Sequence, residues 1–246
     1  RDPDPFAVLG LHADGSGALW LRALLPGAES VEALDAASGR PVATLAAREL
    51  ALSAGETVAT PLFEGRIPRR TTRFDSRLRV RCVNDASGVE ADAYACPPQI
   101  TEDELRAFHE GRHTRPQHFL GAHAYSIDGV AGVRFAVWAP NARRVSVVGD
   151  FNAWDGRRHP MRLRHTAGVW ELFVPHAAAG DHYKFELIDA NGSLLPAKAD
   201  PYAFAAELRP GTASRVAAPR ADTPLPPARA AHNHRAAAIS VFEVHL

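Results

Sequence analysis

The chain has 246 residues, 46% of them hydrophobic, with 28 Lys plus Arg set against 28 Asp plus Glu. That balance offers no basic field to draw in nucleic acid or an anionic membrane, and no apolar run approaches the roughly 20 residues that cross a bilayer as a helix. Two cysteines are too few for a disulfide scaffold and the first residues, RDPDPFAVLGLH, lack a basic-then-apolar secretion signal, so a reducing, cytoplasmic setting is expected.

Residues 1–97 read as short strands with almost no helical periodicity. GALWLRALLP puts Leu19, Leu21, Ala23 and Leu25 on one face, and SVEALDAASGRPVATL reads as a hairpin around Ser38-Gly39. LFEGRIPRR and TTRFDSRLRVRCVND add at least one more strand. In the second of these, Phe74, Ser76, Leu78, Val80 and Cys82 alternate with Asp75, Arg77, Arg79 and Arg81, one inward and one wet face. A turn is expected at Asn84–Gly88. Cys82 is expected to be a buried thiol and Cys96 a loop thiol. A small antiparallel sandwich is the natural reading.

Residues 98–116 form a connection. Pro97-Pro98 stops the preceding strand. Thr101 and Glu104 stand at capping-box spacing and Gly111 sits where a helix closes. The prediction is a short helix over 102–110 that connects and does not contribute to a core. His109 and His113 have a zinc-like spacing, but Gly111 interrupts the helix between them, so no metal site is expected.

Residues 117–218 read as a second sandwich. GVRFAVWAP places Val133, Phe135 and Val137 opposite Arg134 and Trp138. RRVSVVG, GVWELFVP and DHYKFELID follow, then a hairpin signal at 191–193 and a short closing strand in ASRV. Strands at this spacing suggest an Ig-like sandwich. Residues 219–238 are rich in Pro and Ala and read as an extended linker. Residues 239–246, ISVFEVHL, read as the first strand of something further. The lone methionine is Met161, and both ends of the chain read as cut.

No pair of carboxylates stands out for glycoside chemistry, and no phosphate-binding or nucleophile-elbow motif is present, so no catalytic residue is assigned. The turn VVGDFNAWDGRRHPM is different, because it puts Trp154 in a polar loop. An aromatic there either packs on its own sheet, the commoner outcome, or keeps a flat face for a sugar ring. Lys184 alternates outward from Tyr183 and Phe185, and Asn152 and Asp150 offer an amide and a carboxylate. Trp154, Lys184 and Asn152 are the candidate carbohydrate-binding residues.

Taken together, FAVWAPNARRVSVVGDFNAWDGRRHPM, GVWELFVP, YKFELIDANG and KADPYAF closely resemble the glucan-binding sandwich of bacterial 1,4-α-glucan (glycogen) branching enzymes, a carbohydrate-binding module of family 48. DPFAVLGLH, RALLPGAESV and GRIPRR resemble the extra sandwich that many of these enzymes place in front of it. ISVFEVHL resembles the first strand of the (β/α)8 barrel of glycoside hydrolase family 13. The resemblance implies an all-β region of two Ig-like sandwiches joined by a short helix, then a linker and the start of an absent barrel. It implies an α-1,4-glucan or glycogen partner, contacted through Trp154 and Lys184, and a second partner in the chain's own barrel. It also implies a monomer without cofactor. The family moves an α-1,4-glucan segment to a 6-hydroxyl by a retaining mechanism. The two carboxylates for that reaction belong to the barrel, so this chain is expected to be inactive alone. Related modules carry a second aromatic in the hairpin that here reads Asn191-Gly192-Ser193-Leu194, and without it binding is expected to be weak. The other readings are a stand-alone glucan-binding protein, another amylase-family hydrolase with the same module, or an Ig-type interaction module.

Overall fold

The computed structural model describes residues 4–52, 56–68, 70, 72–82, 87–164, 167–218, 234, 236 and 237. The expected linker and the barrel strand lie outside these residues, apart from the three isolated positions. In the first region alternating apolar residues build β1 (Gly10–Ala13), β2 (Leu19–Leu24), β3 (Ala28–Asp35), β4 (Pro41–Ala51), β5 (Thr57–Arg66), β6 (Ser76–Cys82) and β7 (Ser87–Ala91). All neighbours are antiparallel, in the order β1-β2-β5-β4-β3-β6-β7.

The two leaves of this sandwich share one strand. The start of β4 pairs with β3 and its later part with β5. Gly65 on β5 permits the bend, since a Cβ there would stand 2.8 Å from the Thr44 carbonyl and 2.7 Å from the Leu45 side chain. Leu19, Leu21, Phe63, Val31, Leu78 and Val80 meet between the leaves. Cys82 is half-buried at the edge of this core rather than sealed within it, and Cys96 is half-buried as well. Of the expected turn at Asn84–Gly88, residues 84–86 fall outside the described residues and Gly88 is already in β7.

The helix α1 (Glu102–His109) has both halves of its capping box, and Gly111 closes it at φ +70°. It does more than connect, contrary to the expectation. Leu105 is fully buried and packs with Ile100, Phe119, Leu120, Ala136 and Val169. The helix thereby covers the outer face of the second sandwich. Under it lies a buried ion pair, Arg164 Nη1 to Glu171 Oε2 at 2.7 Å. Arg164 also donates to the Ile100 carbonyl at 2.9 Å and to Glu102, while Glu171 accepts from the amides of Gln99 and Ile100.

The second sandwich contains β8 (Gly121–Ile127), β9 (Val130–Trp138), β10 (Arg144–Gly149), β11 (Arg162–Arg164), β12 (Val169–Pro175), β13 (His182–Ile188), β14 (Ala205–Ala206) and β15 (Ser214–Arg215). One sheet runs β11-β12-β9-β8 and the other β10-β13-β15-β14. Phe135, Trp170, Leu172, Val147, Tyr183 and Phe185 fill the space between them. The first region contributes Leu9, Ala93 and Tyr94 to the same cluster. The Tyr94 hydroxyl donates to the Pro160 carbonyl at 3.1 Å, and Arg158 donates back to the Pro26 carbonyl at 2.6 Å. The two sandwiches therefore share buried apolar surface and polar contacts.

Candidate functional site

The site is built where β10 runs out. Gly149 has an extended backbone, and a Cβ there would fall 2.3 Å from the His182 carbonyl. Only glycine lets the chain leave the strand that close to β13. Asp150–Asn152 then make one 3-10 turn, and Ala153 and Trp154 follow at φ +54° and +60°. Two successive non-glycine residues in the left-handed region cost on the order of 1–2 kcal/mol each. The surrounding contacts must hold this turn against that strain.

Asn152 supplies much of the hold. It is 3% exposed. Its Oδ1 accepts from the Gly149 amide at 2.9 Å, and its Nδ2 donates to the Val147 carbonyl at 2.9 Å and to His159 Nδ1 at 2.8 Å. Burial, helped by the charge of Arg158, pushes the His159 ring down to about 4, so the imidazole is neutral near pH 7 and its Nδ1 accepts. Phe151 packs inward on Phe135 with ring centroids 5.3 Å apart. Asn152 was a candidate sugar ligand from sequence. In the structure both of its amide hydrogens are committed beneath the turn, where they cannot face a ligand.

Trp154 is 42% exposed, and its ring is fixed. Its Nε1 donates to Asp150 Oδ1 at 3.2 Å, while the other oxygen of Asp150 accepts from the His182 amide at 2.8 Å and meets His182 Nδ1 at 3.1 Å. The His182 amide, followed by the His182 ring and the indole N–H, holds the Asp150 carboxyl below the usual carboxylate range. The turn folds back over the outer face of β13, where a Cβ on Gly156 would collide with the Glu186 carboxylate. Lys184 stands on that same face two residues before Glu186. It is half-buried and donates from Nζ to Thr212 Oγ1 at 2.6 Å.

The contact with Thr212 brings in a loop that sequence reasoning passed over. Residues 207–213 close on themselves through Glu207, whose amide donates to the Ala213 carbonyl and whose carboxylate accepts from the Ala213 amide. At the tip of the loop Leu208 is 89% exposed. An apolar side chain in ELRPGT is a weak signal without the knowledge that Thr212 reaches Lys184. The hairpin at Asn191-Gly192-Ser193 sits at the other end of β13, with Leu194 bridged to Ile188, away from the end at which Gly149 pairs with Tyr183.

Comparison with known proteins gives this geometry a context. Residues 119–203 match the family described as carbohydrate-binding module 48 (isoamylase N-terminal domain). Residues 1–94 match the N-terminal domain of the alpha-1,4-glucan branching enzyme GlgB. The 1,4-alpha-glucan branching enzyme GlgB 2 of Rhizobium johnstonii is 48% identical over 100% of this chain and 32% of its own length. The GlgB enzyme of Pseudomonas fluorescens is 46% identical over 98% of this chain and 31% of its own. The chain corresponds to the N-terminal region of the GlgB branching enzymes. It spans about a third of the length of these relatives. Among solved structures, the pullulanase of Anoxybacillus sp. LM18-11 aligns with 95% of this chain and 29% of its own at 16% identity, with a TM-score of 0.34, too loose to argue from. Trp154 and Lys184 fall inside the stretch matched to the carbohydrate-binding module, while Leu208 and Thr212 lie just past it. Among the described residues no helix is long and apolar enough to cross a membrane.

Proposed function

We propose that the outer face of β10 and β13 binds α-1,4-glucan, with Trp154 as the stacking platform, Lys184 as a donor to sugar hydroxyls, and Leu208 as an apolar contact from the neighbouring loop. The observation that carries this reading is the strained, anchored turn. A tryptophan that served only as packing would not require two left-handed residues and a carboxylate on its indole N–H to keep its ring at the surface. One aromatic platform contributes about 1–2 kcal/mol, so affinity for a short glucan is weak, millimolar at best. Asn152 serves the site by shaping the turn and makes no sugar contact.

The whole protein, on this reading, is a cytoplasmic, monomeric glycogen branching enzyme whose chemistry resides in the part of the relatives that this chain does not span. The region described here holds and orients the glucan and supports a catalytic barrel. The test is a titration of the chain with maltoheptaose followed by tryptophan fluorescence, in the wild type and in Trp154→Ala. Saturable binding that disappears in the variant is the expected result. Binding of equal strength in both would remove Trp154 from the site.

A further inference from the structure

The loop that carries Leu208 and Thr212 is joined to the sheet by very little ladder. β15 meets β13 through His182–Arg215 and Tyr183–Ser214, and it meets β14 through Ala205–Arg215 and Ala206–Ser214. A two-residue pairing is too short to fix a loop by itself. Yet this corner is closed, since Tyr183 is fully buried and Ser214 is 1% exposed.

The corner is fixed from beneath by Asp200. Lys198 exchanges both backbone hydrogen bonds with Phe185 at 2.8 Å, which lays the chain along β13 and brings Asp200 to the Tyr183 hydroxyl. Asp200 is 6% exposed. Its Oδ2 accepts from the Tyr183 hydroxyl at 2.6 Å, and its Oδ1 accepts from the Tyr202 amide at 2.8 Å. Its own amide donates to Ser214 Oγ at 2.8 Å. One residue thus joins β13, β15 and the segment that leads into β14. Hydrogen bonds to a carboxylate are short and strong. Tyr183 makes a firm post for this one, because its ring packs on Phe135 and Phe185 with centroids 5.0 and 5.9 Å away.

Two partners of Asp200 stand close in sequence to the carbohydrate face. Tyr183 precedes Lys184, and Ser214 follows Thr212 by two residues. Tyr183 and Ser214 are buried, whereas Lys184 and Thr212 meet at the surface, Nζ to Oγ1 at 2.6 Å. We propose that Asp200 is a positioning residue of this face. It touches no sugar. It sets the loop 207–213 against β13, so that Thr212 reaches Lys184 and Leu208 is presented to the same ligand. The effect on binding rests on the glucan reading above, whereas the placement of the loop stands on the contacts alone.

The test compares the wild-type chain with Asp200→Asn, Tyr183→Phe and Val31→Ala. The first keeps an acceptor for the Tyr202 amide and replaces the oxygen that accepts from Tyr183. The second removes one hydroxyl and is the milder change. Val31→Ala truncates the core of the other sandwich and lowers stability with the corner intact. Under conditions where the proteins are folded, the loop is read from the Leu208 and Thr212 methyl resonances and from hydrogen exchange of the Glu207 and Ala213 amides. Binding is read as the dissociation constant for maltoheptaose, from tryptophan fluorescence. In the Asp200 and Tyr183 variants the methyls are expected to shift and the two amides to exchange about tenfold faster or more. The dissociation constant is expected to rise about three- to tenfold. Val31→Ala is expected to leave every one of these unchanged. Loop resonances and exchange like those of the wild type in both corner variants overturn the placement. A displaced loop with unchanged affinity, or equal weakening in Val31→Ala, overturns the role in binding. No binding in the wild type overturns the glucan reading, and with it that role, while the loop resonances still decide the placement.

Discussion

Two turns of this molecule use the same chemistry to opposite effect. In the turn before β2, Asp14 accepts from the Ser16 amide and hydroxyl, the Ala18 amide and Trp20 Nε1. In the turn after β10, Asp150 accepts from the His182 amide and Trp154 Nε1. Each carboxylate holds an indole N–H. Trp20, however, lies within a strand, half-buried and in ordinary extended backbone, whereas Trp154 is in the turn itself at φ +60° with 42% of its surface exposed. A strand tryptophan is positioned by the sheet without strain. A turn tryptophan held out against strain needs support from below, and Asn152, His159 and Phe151 give it.

The comparison breaks most visibly at Asn152. Asn152→Ala strips partners from the Gly149 amide, the Val147 carbonyl and His159 Nδ1. Unsatisfied buried groups cost about 1–3 kcal/mol each, so a loss of about 3 kcal/mol or more is expected in urea unfolding, with glucan binding lost alongside. Among the described residues, the side-chain hydrogen bonds of the other turn all run to Asp14 itself. Asp150→Ala comes next. It frees the indole and is expected to cost about 1 kcal/mol, a value kept small because the carboxylate is half exposed. It should weaken maltoheptaose binding severalfold, while Asp14→Ala leaves binding unchanged by the same titration.

Smaller changes sharpen the contrast. Ala153→Gly relieves the left-handed strain but loosens the unfolded chain, so a net gain of about 0.5 kcal/mol or less is expected in the same denaturation series. The smallest effect is one of acidity. The carboxyls of both Asp14 and Asp150 lie below their usual range, Asp14 at about 2. A depressed carboxyl stabilises the fold above its unfolded value of about 3.9, and that contribution is lost as pH falls from there through the folded value. Both indole contacts are expected to outlast the ordinary carboxylate titration near pH 4, that of Asp14 down to about pH 2, as read from the two indole N–H resonances.

Much of this was legible in the sequence wherever the signal is local. Alternation gave the strands, Thr101 with Glu104 gave the helix start, and Gly111 gave its end. Trp154 and Lys184 stood out because a turn aromatic and an outward lysine can be read from a few neighbours. What escaped depends on partners far along the chain. Leu105 looked like one apolar residue on a polar helix, and its burial depends on Phe119 and Val169 meeting it. Asn152 looked free because Val147 and His159 come to it only when the turn folds back. Leu208 acquires a role through the contact of Thr212 with Lys184, 28 residues away. Tyr94, near the end of one sandwich, gave no sign that it belongs to the core of the other.

The four indole N–H resonances allow the central claim to be tested directly, because the chain has only four tryptophans. We would follow them in a two-dimensional proton–nitrogen spectrum as maltoheptaose is added. The Trp154 resonance is expected to move along a saturable curve while Trp20 stays in place. If Trp154 stays fixed under saturating glucan, or if another indole moves in its stead, the strained turn is not the glucan platform and the account fails at its centre.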